Sequence, residues 1–373
     1  MKKTIELRHK LHKCAELSGC EAKTRLTLME AIQSDTDLEV CDRGSWFYAY
    51  YDCGSPDAKT IGVRADMDAL PMTDMDVAPV KDPAGGIDYS SDTEGVSHRC
   101  GHDGHSAALY ALANLISERG ASNNVYLIFQ HAEETGQGGA ECAQLIDEKN
   151  IDEIYAFHNW SGFDECSIVL GEGTVMCASE GLRIIMEGRP AHASQPEDGI
   201  NPGFALAQVA GRVAELEERY SGRAMATMVG INAGGRNFGM APGEGELDLT
   251  LRALREEDMI ALEKEILAFA EEVADEAGLK LSTEKQDMFP DTTNDPGAVA
   301  KVREAAESLD FAVSELEEPI RSSEDFGWYQ KKCPGAMIFI GNGRDWPQIH
   351  TSTYDFNDRI LETAAELMYE LVK

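Results

Sequence analysis

The chain is 373 residues long, 43% hydrophobic, and carries 67 acidic against 33 basic side chains for a formal net charge of −34. That length predicts two domains rather than one small core or a large assembly. A surface so negative repels phosphate backbones and anionic headgroups, which argues against nucleic-acid and membrane-surface partners.

At the N-terminus, MKKTIELRHKLHK is charged and polar with no apolar run behind its lysines, so a secretory signal is not expected. From Lys2 to about Met29 the residues fit an amphipathic helix through Ile5, Leu7, Leu11, Leu17, Leu26 and Leu28, with Gly19 as a point of interruption. Strands are predicted at 46–51 and 60–64, the second leading into the acidic stretch Ala65 to Pro71. The polar stretch Pro79 to Val96 reads as a variable rim loop. His105 to Arg119 has helical composition and period, and NVYLIFQ at 124–130 is an apolar run typical of a strand buried on both faces. A helix at 139–149 and a short strand at 154–157 continue an alternation that predicts an α/β layer architecture.

After Ser179 the pattern changes. Strands are predicted at 181–187, 224–232, 245–254 and 279–285, with helices at 202–220 and 256–277. This β-α-β-β-α-β order is the split-βαβ, ferredoxin-like arrangement. We therefore expect residues 1–179 and 289–373 to form one discontinuous domain, interrupted by an inserted module at 180–288. No stretch approaches the roughly 18 uncharged apolar residues of a membrane span. Nine cysteines, an odd number without CxxC pairing, predict reduced thiols and a cytoplasmic setting. All of them but Cys100 are expected to be packing residues.

Chemistry concentrates in four places. His98-Arg-Cys100-Gly-His102-Asp-Gly-His105 puts one thiol, three imidazoles and a carboxylate within eight residues just before a helix. Thiolate and imidazole together suit zinc and similar first-row ions, although a polar helix start with an incidental cysteine would look the same. Glu133-Glu134 follows the buried strand 124–130, where open α/β sheets present their ligands. Tandem acids there invite a division of labour, one holding a metal and the other acting as base; a pair of solvated loop acids is the other reading. His158 sits at the end of a short apolar strand and His350 beyond the strand-like residues 336–340. Each histidine alone would be structural. On one sheet edge, Cys100, His102, Glu134, His158 and His350 would suffice for two ions.

These residues resemble the M20 metallopeptidase and aminoacylase family, specifically its amidohydrolase branch of hippurate-hydrolase-like, N-acyl-amino-acid hydrolase and auxin-conjugate hydrolase enzymes. The resemblance is carried by Arg8 to His12 with Glu16-Leu17, Arg64-Ala-Asp66-Met-Asp68-Ala-Leu-Pro71, Cys100-Gly-His102-Asp-Gly-His105, Ala132-Glu133-Glu134, His158-Asn159, Ala191-His192-Ala193, Ser323 to Phe326, and His350 with Tyr354-Asp355-Phe356. It runs in order over nearly the whole chain. The pattern departs at His12, where a following proline is missing, at Thr135 and Gln137, and after Asn237, where a longer segment bears on the substrate pocket.

The resemblance implies an aminopeptidase-like α/β catalytic domain with a central mixed sheet and helices on both faces, plus an inserted ferredoxin-like lid and dimerisation domain. It implies Cys100, His102, Glu134, His158 and His350 as ligands of two divalent ions, zinc or manganese first, cobalt or nickel otherwise, with Cys100 bridging. Glu133 would be the general base, Asp68 an orienting carboxylate, and His192 would reach the active site of the partner subunit in a homodimer. Asn237 and Arg252 of the insert complete the expectation as substrate-binding residues. The implied reaction is hydrolysis of the amide bond of an N-acyl amino acid, with a short peptide as the runner-up substrate. A catalytically silent relative would have lost the base or a ligand, and all six side chains are present. No Pro-Cys-x-x-Cys follows the histidine and acid, which argues against a zinc nucleobase deaminase.

Overall fold

The computed structural model describes residues 1–74 and 89–373. Residues 79–88 of the expected rim loop therefore lie outside the described residues. By its internal contacts the chain divides into two units: Met1–Val175 with Thr292–Pro319 and Asp325–Lys373, and Met176–Asp291 with Ile320–Glu324.

In chain order the first unit begins with α1 (Lys2–Lys13), α2 (Ala22–Asp35), β1 (Glu39–Asp42), β2 (Phe47–Tyr51), β3 (Thr60–Asp66), α3 (His102–Arg119) and β4 (Asn124–Gln130). Next come α4 (Gly138–Cys142), α5 (Gln144–Lys149), β5 (Glu153–Trp160), β6 (Ile168–Leu170) and β7 (Gly173–Met176). The second unit holds β8 (Ala178–Glu187), β9 (Ala191–His192), α6 (Gly203–Arg219), β10 (Ala224–Ala233), β11 (Met240–Ala241), β12 (Glu244–Ala253), α7 (Glu256–Ala277) and β13 (Lys280–Phe289). The first unit then resumes with β14 (Thr292–Asn294), α8 (Pro296–Ser308), β15 (Val313–Glu315), α9 (Gly327–Gln330), β16 (Gly335–Gly341) and α10 (Ile360–Val372).

Among the described residues eight strands form the sheet of the first unit, in the order β1-β2-β4-β3-β5-β16-β6-β15. The central run β4-β3-β5-β16 is parallel. β2 joins it antiparallel at one side and β6 at the other, so the sheet is mixed. Residues of β4, β5 and β16 are buried consecutively rather than alternately, because both faces of a parallel sheet are covered. Leu11, Leu28, Ile116, Leu127, Ile338 and Leu367 belong to the resulting core. At Gly104, near the start of α3, a Cβ would stand 2.3 Å from the Phe356 ring, so glycine there lets the helix approach the C-terminal segment.

Two sequence expectations need correcting. The helix expected over 2–29 stops at Lys13, resumes at Ala22 and runs on to Asp35. Glu16 in the connecting loop accepts the amides of Lys23 and Thr24 and so caps α2 from outside, while Leu17 pairs with Ala69 beyond β3. Tertiary bonds thus draw the apolar Leu17 out of the helical series. The helix expected over 139–149 is two short helices meeting at Ala143. Short strands β1, β6, β7, β14 and β15 went unexpected, since three or four residues carry no readable period. Cys142, Cys177 and Cys333 are buried as expected of packing residues, but Cys20 is exposed.

In the second unit four antiparallel strands take the order β10-β12-β8-β13. β12 alternates strictly: Leu247, Leu249 and Leu251 are buried against α6 and α7 residues such as Leu206, Val209, Leu262 and Ile266, and Glu246, Asp248 and Thr250 point the other way. This arrangement is ferredoxin-like.

Candidate metal centre

Four neighbouring strands deliver the first-unit residues to one edge. β3 ends at Asp66, two residues before Asp68, and β4 ends at Gln130, three before Glu133. His158 lies within β5, and β16 leads into the loop that carries His350. Cys100 and His102 flank Gly101, whose φ of +101° makes the sharp turn into α3. Ala132 (φ +49°) and His350 (φ +57°) hold left-handed conformations unusual for residues with a Cβ. Such conformations persist where surrounding contacts over-determine them.

Donor atoms of Cys100, His102 and His158 all lie within 4.8 Å of one another, as do those of Cys100, Glu134 and His350, and those of His102, Glu133 and Glu134. Cys100 Sγ is 3.4 Å from His158 Nε2, and Glu134 Oε1 is 3.7 Å from His102 Nε2 and 3.5 Å from His350 Nε2. Glu133 Oε2 is 3.8 Å from His102 Nε2. Cys100, His102, His158 and Glu133 are buried, Glu134 is half-buried and His350 is exposed.

Hydrogen bonds aim the ring nitrogens. His102 Nδ1 faces the Asp68 carbonyl at 3.0 Å and its carboxylate at 3.1 Å, both acceptors, which assigns the proton to Nδ1 and turns a lone pair on Nε2 inward. His158 Nδ1 faces the Asn159 carbonyl at 2.8 Å in the same way. Asp68 is itself held by Ser18 Oγ at 2.7 Å and the Glu134 amide at 3.0 Å. His105 lies between Asp66, 2.7 Å from Nδ1, and the Asn159 side chain.

The titration behaviour follows from this crowding. Burial disfavours a charged His102, but Asp66, Asp68 and Glu134 outweigh it and push its pKa up to about 10. Burial, with His105 and His102 nearby, holds His158 well below the usual range and therefore neutral. Burial works to raise the Asp66 carboxyl, yet His102, His105 and Arg64 keep it well below its ordinary value. Glu21, buried and close to the Asp68 charge, is pushed up to about 7; its carboxylate accepts the amides of Gly19 and Ala132. A field that draws a proton onto His102 so strongly is one that favours a cation.

His102 Nε2 and Glu134 Oε1 are buried without a hydrogen-bond partner among the described residues. Buried polar atoms rarely go unmatched, and these two stand 3.7 Å apart, one in each of the trios that share Cys100. Thiol, imidazole and carboxylate at this spacing fit divalent ions.

Three expected residues lie in the second unit. His192 is exposed, its Nδ1 2.7 Å from Ser194 Oγ. Asn237 is exposed and accepts the Gly239 amide, while Arg252 donates to the Arg321 carbonyl and Ser323 Oγ. Ser18, Glu21, Asn159 and Tyr354 received no role from sequence. Asn159 donates to the Cys100 carbonyl and to Tyr354 Oη, tying three segments of the centre together. No local pattern signals such roles, because the partners are far apart in the chain.

Fold and donor set together define an α/β protein of the metallohydrolase class. Residues 62–373 match the family described as Peptidase family M20/M25/M40. The chain is 30% identical to the hippurate hydrolase of Campylobacter jejuni over 98% of its own length and 94% of that protein. It is 27% identical to the N-acetyl-L-cysteine deacetylase of Bacillus subtilis over 100% of its own length and 88% of that one. A crystal structure of a Bacillus subtilis protein, described as a dinuclear metal-binding peptidase of the M20 family, superposes with a TM-score of 0.80 at 25% identity, covering 99% of this chain and 96% of that one. The chain belongs to the M20 family and is an amidohydrolase or peptidase of its kind.

Proposed function

We propose that this enzyme hydrolyses the amide bond of N-acyl amino acids at a centre of two divalent ions, zinc or manganese, with cobalt and nickel as alternatives. One observation carries the reading: two donor trios, Cys100-His102-His158 and Cys100-Glu134-His350, share Cys100, so these five residues would hold two ions with one donor residue in common. The relatives named for hippurate and N-acetyl-L-cysteine support an acylated amino acid as substrate.

When bound, two such ions would lower the pKa of an attacking water toward about 7 and polarise the scissile carbonyl. Glu133 is close to both sites yet outside the two trios that share Cys100. It takes the proton of the attacking water and returns it to the departing nitrogen. Asp68 holds His102 in the tautomer that offers Nε2. His192 is the proposed hydrogen-bond donor to the developing oxyanion, supplied by a second copy of the chain, with Asn237 and Arg252 contacting substrate. A homodimer through the second unit is supported by β10, an edge strand that exposes Met228, Val229 and Ile231.

The test is a substrate panel on metal-free protein reloaded separately with Zn²⁺, Mn²⁺, Co²⁺ or Ni²⁺. Higher kcat/KM on hippurate and N-acetylcysteine than on dipeptides is expected. The reverse order would make the enzyme a peptidase, and hydrolysis of neither class with any ion would sink the reading.

A further inference from the structure

His350 is the most weakly anchored of the five donors. Its side chain is 48% exposed, so packing does not hold it, and its backbone is in the left-handed region at φ +57°. Something nearby must fix the loop. The His350 amide donates to the Arg99 carbonyl at 2.8 Å. The guanidinium of the same arginine donates to the carbonyl of Tyr354. The Tyr354 amide in turn closes back on the Thr351 carbonyl at 3.1 Å, so His350 immediately precedes, and Tyr354 ends, a single turn. Arg99 thus grips that turn at both ends, once with its main chain and once with its side chain, and it immediately precedes Cys100.

The guanidinium is 0% exposed. A buried charge requires a counter-charge, and Asp74 supplies one, its Oδ1 2.7 Å from Nη2. Nε donates to Ser97 Oγ at 3.1 Å. Two hydrogen-bond acceptors, Ser97 Oγ and the Tyr354 carbonyl, and one ion-pair partner, Asp74, use three different nitrogens of the arginine fork, which the single ammonium of lysine cannot reproduce.

We propose that Arg99 is a positioning residue for the ion held through Cys100, Glu134 and His350, and that Asp74 sustains it. This rests on the two-ion reading above. Arg99 touches neither substrate nor ion; it sets where His350 Nε2 stands relative to Glu134. The other trio, Cys100-His102-His158, draws on Asp68 and Asn159 for its orientation and should not depend on the guanidinium.

The experiment is calorimetric titration of metal-free protein with Zn²⁺, comparing wild type with Arg99→Met, Arg99→Lys and Asp74→Asn, alongside the melting temperature of each metal-free protein. In the wild type two binding steps are expected. Arg99→Met should weaken one step by tenfold or more and leave the other at the wild-type affinity, with Arg99→Lys intermediate. Asp74→Asn should weaken the same step and leave the other unchanged, and it should also lower the melting temperature, because it removes the counter-charge of buried Arg99 and a partner of His12. Should Arg99→Met fail to fold, the lysine and Asp74 variants decide. Unchanged titrations in those two, or both steps weakening in parallel with a falling melting temperature, would overturn the positioning role. Fewer than two steps in the wild type would overturn the two-ion reading itself, a failure visible before any variant is examined.

Discussion

Replacing Asp68 with asparagine keeps the side-chain outline but removes a charge and converts one acceptor oxygen into an NH₂ donor. Three groups donate to this carboxylate: His102 Nδ1 at 3.1 Å on Oδ1, and Ser18 Oγ at 2.7 Å and the Glu134 amide at 3.0 Å on Oδ2. An amide oriented to receive the Glu134 N–H turns its NH₂ toward His102 Nδ1; the opposite flip sets it against the Glu134 amide. Either way one charge-assisted bond is lost, and such bonds are each worth about 1.5–3 kcal/mol. At about 1.4 kcal/mol per tenfold, that is roughly a 10- to 150-fold loss of metal affinity. With the NH₂ against His102 the effect falls on the His102 trio, because the mispaired amide either tilts the ring or moves its proton to Nε2; with the opposite flip it falls on Glu134, whose amide loses its acceptor. Metal titration of the stripped Asp68→Asn protein reads the affinity, and kcat/KM at saturating metal reads the remaining orientation. Wild-type affinity in this variant would refute the argument that Asp68 fixes the imidazole.

Two further predictions use different readouts. Glu133→Ala should retain both ions by elemental analysis while kcat falls by about 10² to 10⁴, the usual worth of a general base; unimpaired hydrolysis would remove Glu133 from that role. For stability, burial alone would lower the pKa of His12, but hydrogen bonds to Asp103 and Asp74, with Asp355 nearby, push it up to about 9. A folded-state value above the unfolded 6.5 means that this stabilisation is complete below about pH 6.5 and fades as pH rises through about 9. Urea unfolding of metal-free protein between pH 7 and 10 should therefore show a smaller alkaline loss in His12→Asn than in wild type. Equal losses in the two proteins would contradict it.

Sequence alone carried the long periodic elements. NVYLIFQ is β4 with the expected bounds and the acidic helix 256–277 is α7, because each has enough residues for a period to declare itself. The candidate donors Cys100, His102, Glu134, His158 and His350 could be singled out from residue chemistry, strand ends and family resemblance, and their donor atoms do lie together in overlapping groups. Pairing decided the rest. Glu16 and Leu17, which as local sequence continue a helix, are drawn into a loop by α2 and by Ala69, and that loop places Ser18 on Asp68 and Glu21 on the Ala132 amide. Arg99 reads as an unremarkable basic residue until Tyr354 and His350, some 250 positions away, close around it. Side-chain type and period are local properties and survive in a string of letters. The direction of an imidazole nitrogen, or the hold on a loop, depends on hydrogen bonds between distant segments, which exist only once the sheet has assembled.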